Sequence, residues 1–130
     1  MIRTGILNPD ILSLLARVRQ TNTIVIADRG FPFWPQIETV DISLVDNVPT
    51  VRQVLAAMLA NHQYGKAFMA EEFLATSRAG TEQAYREILG KVPLSFEPHE
   101  AVFKKRVPLA IGLIRTGDTT PYGNIILESA

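Results

Sequence analysis

The chain has 130 residues, 47% of them hydrophobic, and its 13 Lys and Arg balance 13 Asp and Glu to a net charge of zero. That length suits one domain, residues 1–130, with a core that needs no covalent staples, and the lack of cysteine excludes disulfides, thiolate metal sites and a thiol nucleophile. The charge balance argues against nucleic acid or an anionic membrane as partner, since both call for a basic excess; it also removes the self-repulsion that keeps monomers apart, so an oligomer is expected.

The opening "MIRTGILNPD" holds no long apolar stretch and does not read as a signal peptide. No run approaches the roughly 18 apolar residues of a membrane span, so a cytoplasmic protein is expected. Asn8, Pro9 and Asp10 form a helix start: a capping side chain, a residue suited to the first turn, and an acid at the positive helix end. Ile11, Leu12, Leu14, Leu15 and Val18 then give an apolar stripe at helical spacing. "TIVIAD", Thr23 to Asp28, is apolar on both parities and predicts a strand covered on both faces. "RGFPFWPQ" reads as an unusually apolar loop, and "VDISL", Val40 to Leu44, as a second strand.

After Pro49, the spacing of Val51, Val54, Leu55, Met58 and Leu59 predicts a helix, and "KAFMA" a short strand. Thr81 and Gly90 bracket a further helix as cap and stop. "PLSF" predicts a strand and "HEAVFKKR" a short helix. "PLAIGLIRTG" predicts a long buried strand, "DTTPYG" a turn, and "NIILES" a last strand at the sheet edge or in a hairpin. The alternation of strands and helices predicts an α/β fold, with helices on both faces of a mainly parallel sheet. There is no repeat, no G-x-G-x-x-G, no P-loop and no Gly-x-Ser-x-Gly elbow.

Four groups of residues carry candidate chemistry. Asp28 follows its strand at the carboxyl end, where open α/β sheets bind ligands; its structural alternative is a turn cap or a partner for Arg29. Tyr122 and Asn124 flank a glycine and can face one way, offering hydrogen bonds to hydroxyls, or simply form a turn. His99 can titrate near neutrality or start a helix, and Lys104 and Lys105 can be a solvated face. Trp34, with Phe31 and Phe33, can stack on the apolar face of a sugar or fill a subunit interface. His62 reads as a helix-end charge, and two distant histidines without cysteine make no zinc site.

The order "RTGILNPDI", "TIVIADRGFP", "VDISL", "VPTVRQVL", "MAEE", "FK" and "IRTGDTTPYGNIIL" resembles the RbsD/FucU family of sugar pyranases and mutarotases over essentially the whole chain, and its ribose branch more than its fucose branch. The resemblance implies an RbsD-like α/β fold assembled into a ring-like homo-oligomer, commonly a decamer, with sites built between subunits. It also implies interconversion of the ring forms of a free monosaccharide without a cofactor or metal. The family's sugar-binding acid falls on Asp28, its Tyr-x-Asn pair on Tyr122 and Asn124, its Phe-Lys on Phe103 and Lys104, and its upstream histidine on His99, one residue further from the Phe-Lys than in ribose-type members.

Position 20 departs from the family. Its principal catalytic histidine stands where this chain has Gln20, in a stretch reading Gln20-Thr21-Asn22, and the usually small residue after the acid is Arg29. Opening a sugar ring removes the anomeric hydroxyl proton and gives one to the ring oxygen, work that suits a group titrating near neutrality. A Gln amide orients hydroxyls but carries no proton. Three functions follow from the sequence: a pyranase or mutarotase using Asp28 with His99 or a water; a non-catalytic monosaccharide-binding protein; or an enzyme for another ligand, its anionic group read by Arg29.

Overall fold

The computed structural model describes residue 3 and residues 5–130; Thr4 of the "RTGILNPDI" opening lies outside the described residues. Helix α1 (Pro9–Arg17) starts as the sequence predicts, the Asn8 side chain accepting the Asp10 and Ile11 amides at 3.0 Å each. Its buried Ile11 and Leu14 face the sheet. Strand β1 (Thr23–Ala27) follows, then β2 (Glu38–Asp41), which begins before Val40 and ends before Ile42.

Helix α2 (Val51–Asn61) is locked at its start by a reciprocal pair: the Thr50 hydroxyl accepts the Gln53 amide, and the Gln53 side chain accepts the Thr50 amide. Strand β3 (Tyr64–Ala70) leads into α3 (Glu72–Thr76), a short helix with no counterpart in the predicted elements. Helix α4 (Thr81–Leu89) is preceded at its cap position by Gly80, at φ +87, rather than capped by Thr81; Gly90, at φ +60, stops it as expected. Strand β4 (Leu94–Glu97) is followed by one continuous coil. It comprises a π turn (His99–Phe103), α5 (Lys104–Arg106) and a 3₁₀ turn (Val107–Leu109). That turn consumes the start of the expected long strand, leaving β5 (Gly112–Arg115) only four residues. Strand β6 (Ile125–Ser129) ends the chain.

The six strands lie in the order β2-β5-β1-β6-β3-β4. Five run parallel and β6 runs against them, paired to β1 on one side and β3 on the other. The expectation that the last strand is an edge or hairpin partner is corrected: β6 is central, with Ile125, Ile126 and Leu127 fully buried. The edges are the four-residue strands β2 and β4, both only partly covered.

The period-2 alternation sorts the core into two layers. Ile24, Ile26, Ile114, Ile125, Leu127 and Met69 pack under α1–α4. Their neighbours Val25, Ala27, Leu113, Ile126 and Phe68 face the other way, under Phe31, Phe103, Val107 and Ala110. Helices thus flank both faces unequally: one carries α1–α4, and the other the helical coil of residues 99–109, α5 within it, and the loop after β1.

Because β6 is central, Leu127→Ala is expected to cost about 2–5 kcal/mol in denaturant unfolding. Leu94→Ala on the edge strand β4 is expected to cost about 1 kcal/mol. Equal losses would contradict the central placement.

Candidate functional site

Parallel strands deliver their carboxyl ends to one rim of the sheet, and β6, running the other way, starts there. Asp28 follows β1 and Asn124 precedes β6 at this rim, and they are joined directly: the Asp28 amide donates to Asn124 Oδ1 at 2.6 Å. The neighbouring Ala27 carbonyl accepts both the Thr116 amide at 2.9 Å and the Thr116 hydroxyl at 2.8 Å. The Asp28 carboxylate accepts the Gly30 amide at 2.9 Å, turning the chain back over the pocket.

The segment before β6 is held by the buried Asp118, which the sequence analysis did not single out. Its carboxylate accepts the Val51 amide at 2.8 Å and the Thr120 amide at 2.7 Å. Tyr122 follows at φ +55, a conformation a tyrosine adopts rarely. Gly123 follows where a side chain would be crowded: a Cβ there would lie 3.0 Å from the Tyr85 hydroxyl and 3.1 Å from the Thr120 carbonyl oxygen. Tyr85 itself donates to the Gly123 carbonyl at 2.9 Å.

The third wall is the π turn after β4. The His99 amide donates to both Glu72 carboxylate oxygens, at 3.1 and 3.2 Å. His99 as a whole is 8% exposed. Its imidazole stacks on Phe103 with centroids 5.6 Å apart, and meets Tyr122 edge-on at 5.1 Å and Phe31 at 6.3 Å. Its Nδ1 is buried without a hydrogen-bond partner. Lys104 donates to Glu100 at 2.9 Å from the same turn.

Asp28, Gly30, Phe31, Pro32, His99, Lys104, Tyr122 and Asn124 line a single cavity of about 300 Å³. Of the residues expected at a site, five meet here: Asp28, His99, Lys104, Tyr122 and Asn124. Phe103 does not line the cavity; fully buried, it backs the His99 ring. Phe31 supplies the apolar wall in place of Trp34, and Phe33 is exposed. Arg29 points away, exposed and paired with Asp46 at 2.8 Å, so the motive for reading an anion in this cavity through Arg29 is gone. Gln20 is exposed in the loop before β1, at the other end of that strand. β1, five residues and about 17 Å long at roughly 3.3 Å per residue, lies between it and Asp28. His62 ends α2, with Nε2 2.8 Å from the Ser129 hydroxyl and far from the cavity lining.

Burial raises the Asp28 carboxyl above its ordinary value, opposed by the Gly30 amide and the Asn124 side chain and reinforced by the charge of Asp118. Burial lowers the His99 imidazole, and the Lys104 ammonium lowers it further, against the pull of Glu100, Glu72 and Asp28. Two proton carriers in one cavity are therefore drawn towards each other in affinity. Among the described residues no group of three or more His, Asp or Glu is placed to hold a metal ion, and no helix is long and apolar enough to cross a membrane.

The sheet, the rim and this set of polar groups are those of a small-ligand-binding α/β domain. The model of the RbsD / FucU transport protein family matches residues 1–130, and the chain belongs to that family. It is 39% identical over 130 residues to the D-ribose pyranase of Halalkalibacterium halodurans, covering 99% of this chain and 97% of that one. It is 40% identical over 129 residues to the D-ribose pyranase of Geobacillus kaustophilus, covering 99% and 93%. Among solved structures, Bacillus subtilis RbsD complexed with D-ribose superposes with a TM-score of 0.92 at 30% identity, covering 100% of this chain and 98% of that chain. The fucose mutarotase of Streptococcus pneumoniae, in complex with L-fucose, shares the fold at TM-score 0.77 and 20% identity, covering 95% and 92%.

A carboxyl whose folded pKa lies above its unfolded value of about 3.9 contributes stability that is present below that value and lost as pH rises through the folded pKa. Asp28→Asn keeps an oxygen for the Gly30 amide and removes the buried charge. It is expected to raise the thermal midpoint at about pH 7, with the difference from wild type closing below about pH 4. For His99 the sign is opposite: its contribution is present above about pH 6.5 and lost as pH falls through the lowered value. A destabilised Asp28→Asn at neutral pH would contradict the raised carboxyl.

Proposed function

We propose that this protein interconverts ring forms of a free, ribose-like monosaccharide in the cavity of Asp28 and His99. The observation that carries the reading is their convergence, with Lys104, Tyr122 and Asn124, in one cavity of about 300 Å³ at the carboxyl rim of the sheet. The 30% identity to an RbsD that holds D-ribose, over 100% of this chain, supports the substrate class.

The chemistry needs two proton transfers and no oxidant. Asp28, its carboxyl basicity raised by burial, takes the anomeric hydroxyl proton as the bond between the anomeric carbon and the ring oxygen breaks. His99, or a water it holds, gives a proton to the departing ring oxygen, leaving the open aldehyde. Attack by a different sugar hydroxyl, with the two transfers reversed, closes the other ring. Lys104, Tyr122 and Asn124 orient hydroxyls, and Phe31 covers an apolar face of the sugar.

A second reading, monosaccharide binding without catalysis, is favoured by one observation. Gln20, which the family resemblance sets in place of a catalytic histidine, moves no proton, and the whole length of β1 lies between its loop and Asp28. Within the first reading, the 19–22 loop of another copy completes the cavity, and the protein works in the cytoplasm as a ring of copies, a decamer on the family pattern. The zero net charge and the exposed Leu44 (76%) and Leu109 (82%) support self-association. Sedimentation of the purified chain as a monomer at micromolar concentration would remove that part.

NMR saturation transfer between the pyranose and furanose signals of D-ribose decides between the readings. Exchange faster than buffer is expected, falling by about 10²–10⁴-fold in Asp28→Asn and in His99→Gln. Shifts of pocket resonances on adding ribose, with exchange no faster than buffer, would establish the binding-only reading.

A further inference from the structure

A second cleft, of about 550 Å³, opens behind the segment that carries Tyr122 and Asn124. Its lining includes Arg52, Arg78, Ser77, Thr81, Thr119 and Thr120, and contains no carboxylate. Six ion pairs join charged side chains among the described residues, and neither Arg52 nor Arg78 takes part in any of them. Of the acids in this region, Glu82 pairs with Arg86, Glu72 accepts the His99 amide and Asp118 accepts the Val51 and Thr120 amides, while Glu87 shares a separate cleft with Arg52 and accepts from Gln83 at 3.4 Å. The Thr119 hydroxyl donates to Asn47, and Ser77, Thr81 and Thr120 add further hydroxyl-bearing residues to the lining. Two guanidinium groups outside any ion pair, each a planar fork of donors, beside several hydroxyls make a receptor for a tetrahedral oxyanion.

One short stretch divides this cleft from the sugar cavity. Thr119, Thr120 and Pro121 line the cleft, while Tyr122 and Asn124 line the cavity. Tyr122 sits in the left-handed region, so its position is held by its neighbours rather than by its own preference. We propose that the cleft of Arg52 and Arg78 binds a phosphate-class anion, and that its occupancy changes the affinity of the adjoining cavity for sugar through the Thr119–Asn124 segment. The anion-binding half stands on the cleft alone; the coupling half rests on the proposed sugar site. Coupling of this kind is reciprocal, so sugar must change the anion's affinity by the same factor.

The test is calorimetric titration of inorganic phosphate into the sugar-free protein at low ionic strength, repeated with Arg52→Gln, Arg78→Gln and the double variant. Saturable binding to wild type is expected, weakened about tenfold or more in each single variant and lost in the double. Binding of equal strength in the double variant, or none to wild type at millimolar phosphate, would overturn the proposal. Glycerol 3-phosphate distinguishes the source: competition with phosphate assigns the site to the phosphate group of a larger metabolite, and its absence to the free ion. D-ribose titrations with and without saturating phosphate read the coupling, which must vanish in the double variant; an unchanged ribose affinity in wild type overturns the coupling half alone. Should the variants fold poorly, amide shifts of wild type on adding phosphate must centre on residues 76–81 and 119–121, and shifts confined elsewhere would overturn the assignment.

Discussion

The site depends on one strand running the wrong way. β6 enters the sheet between β1 and β3 from the carboxyl rim, so the residue before it stands beside the residue after β1. The 2.6 Å bond from the Asp28 amide to Asn124 Oδ1 is the direct product of that arrangement. A parallel last strand would start at the opposite rim and take Tyr122 and Asn124 with it. The central antiparallel strand is therefore as much a functional device as a structural one, and the full burial of Ile125 to Leu127 holds it in register.

Around this join, burial does electrostatic work. Burial raises the Asp28 carboxyl and lowers the His99 imidazole, yet each group keeps partners that oppose the shift: the Gly30 amide for Asp28, and the Glu72, Glu100 and Asp28 charges for His99. The aromatic box of Phe31, Phe103 and Tyr122 fixes the imidazole plane with few hydrogen bonds. The buried, unpartnered Nδ1 of His99 is the polar group left over by that packing.

Much of this was legible in the sequence because it is local. The cap at Asn8, the start of α2 after Pro49, and the apolar run ending on Asp28 each follow from neighbours within one turn or strand. Tyr122 and Asn124 were legible as a pair around a glycine. What was not legible is long-range. "NIILES" is apolar on both parities, which is the mark of a strand covered on both faces, but nothing local says which strands will flank it. Gln20 and Asp28 are close in sequence, yet an extended strand drives them to opposite rims. Arg29 is adjacent to Asp28 and still turns out to solvent, because Asp46 from another loop meets it there. Phe31 rather than Trp34 faces the cavity because the Gly30 turn aims it inward. Asp118 gave no signal, since its partners come from α2 and its own loop.

The proposed reaction depends on where a free sugar sits. A crystal structure of the protein grown with D-ribose tests this most directly. The sugar is predicted in the cavity of about 300 Å³, its anomeric hydroxyl within hydrogen-bond distance of the Asp28 carboxylate and its ring oxygen on the His99 side, with Gln20 of the same chain out of reach. Ribose bound elsewhere, with the Asp28 and His99 cavity empty, would contradict it.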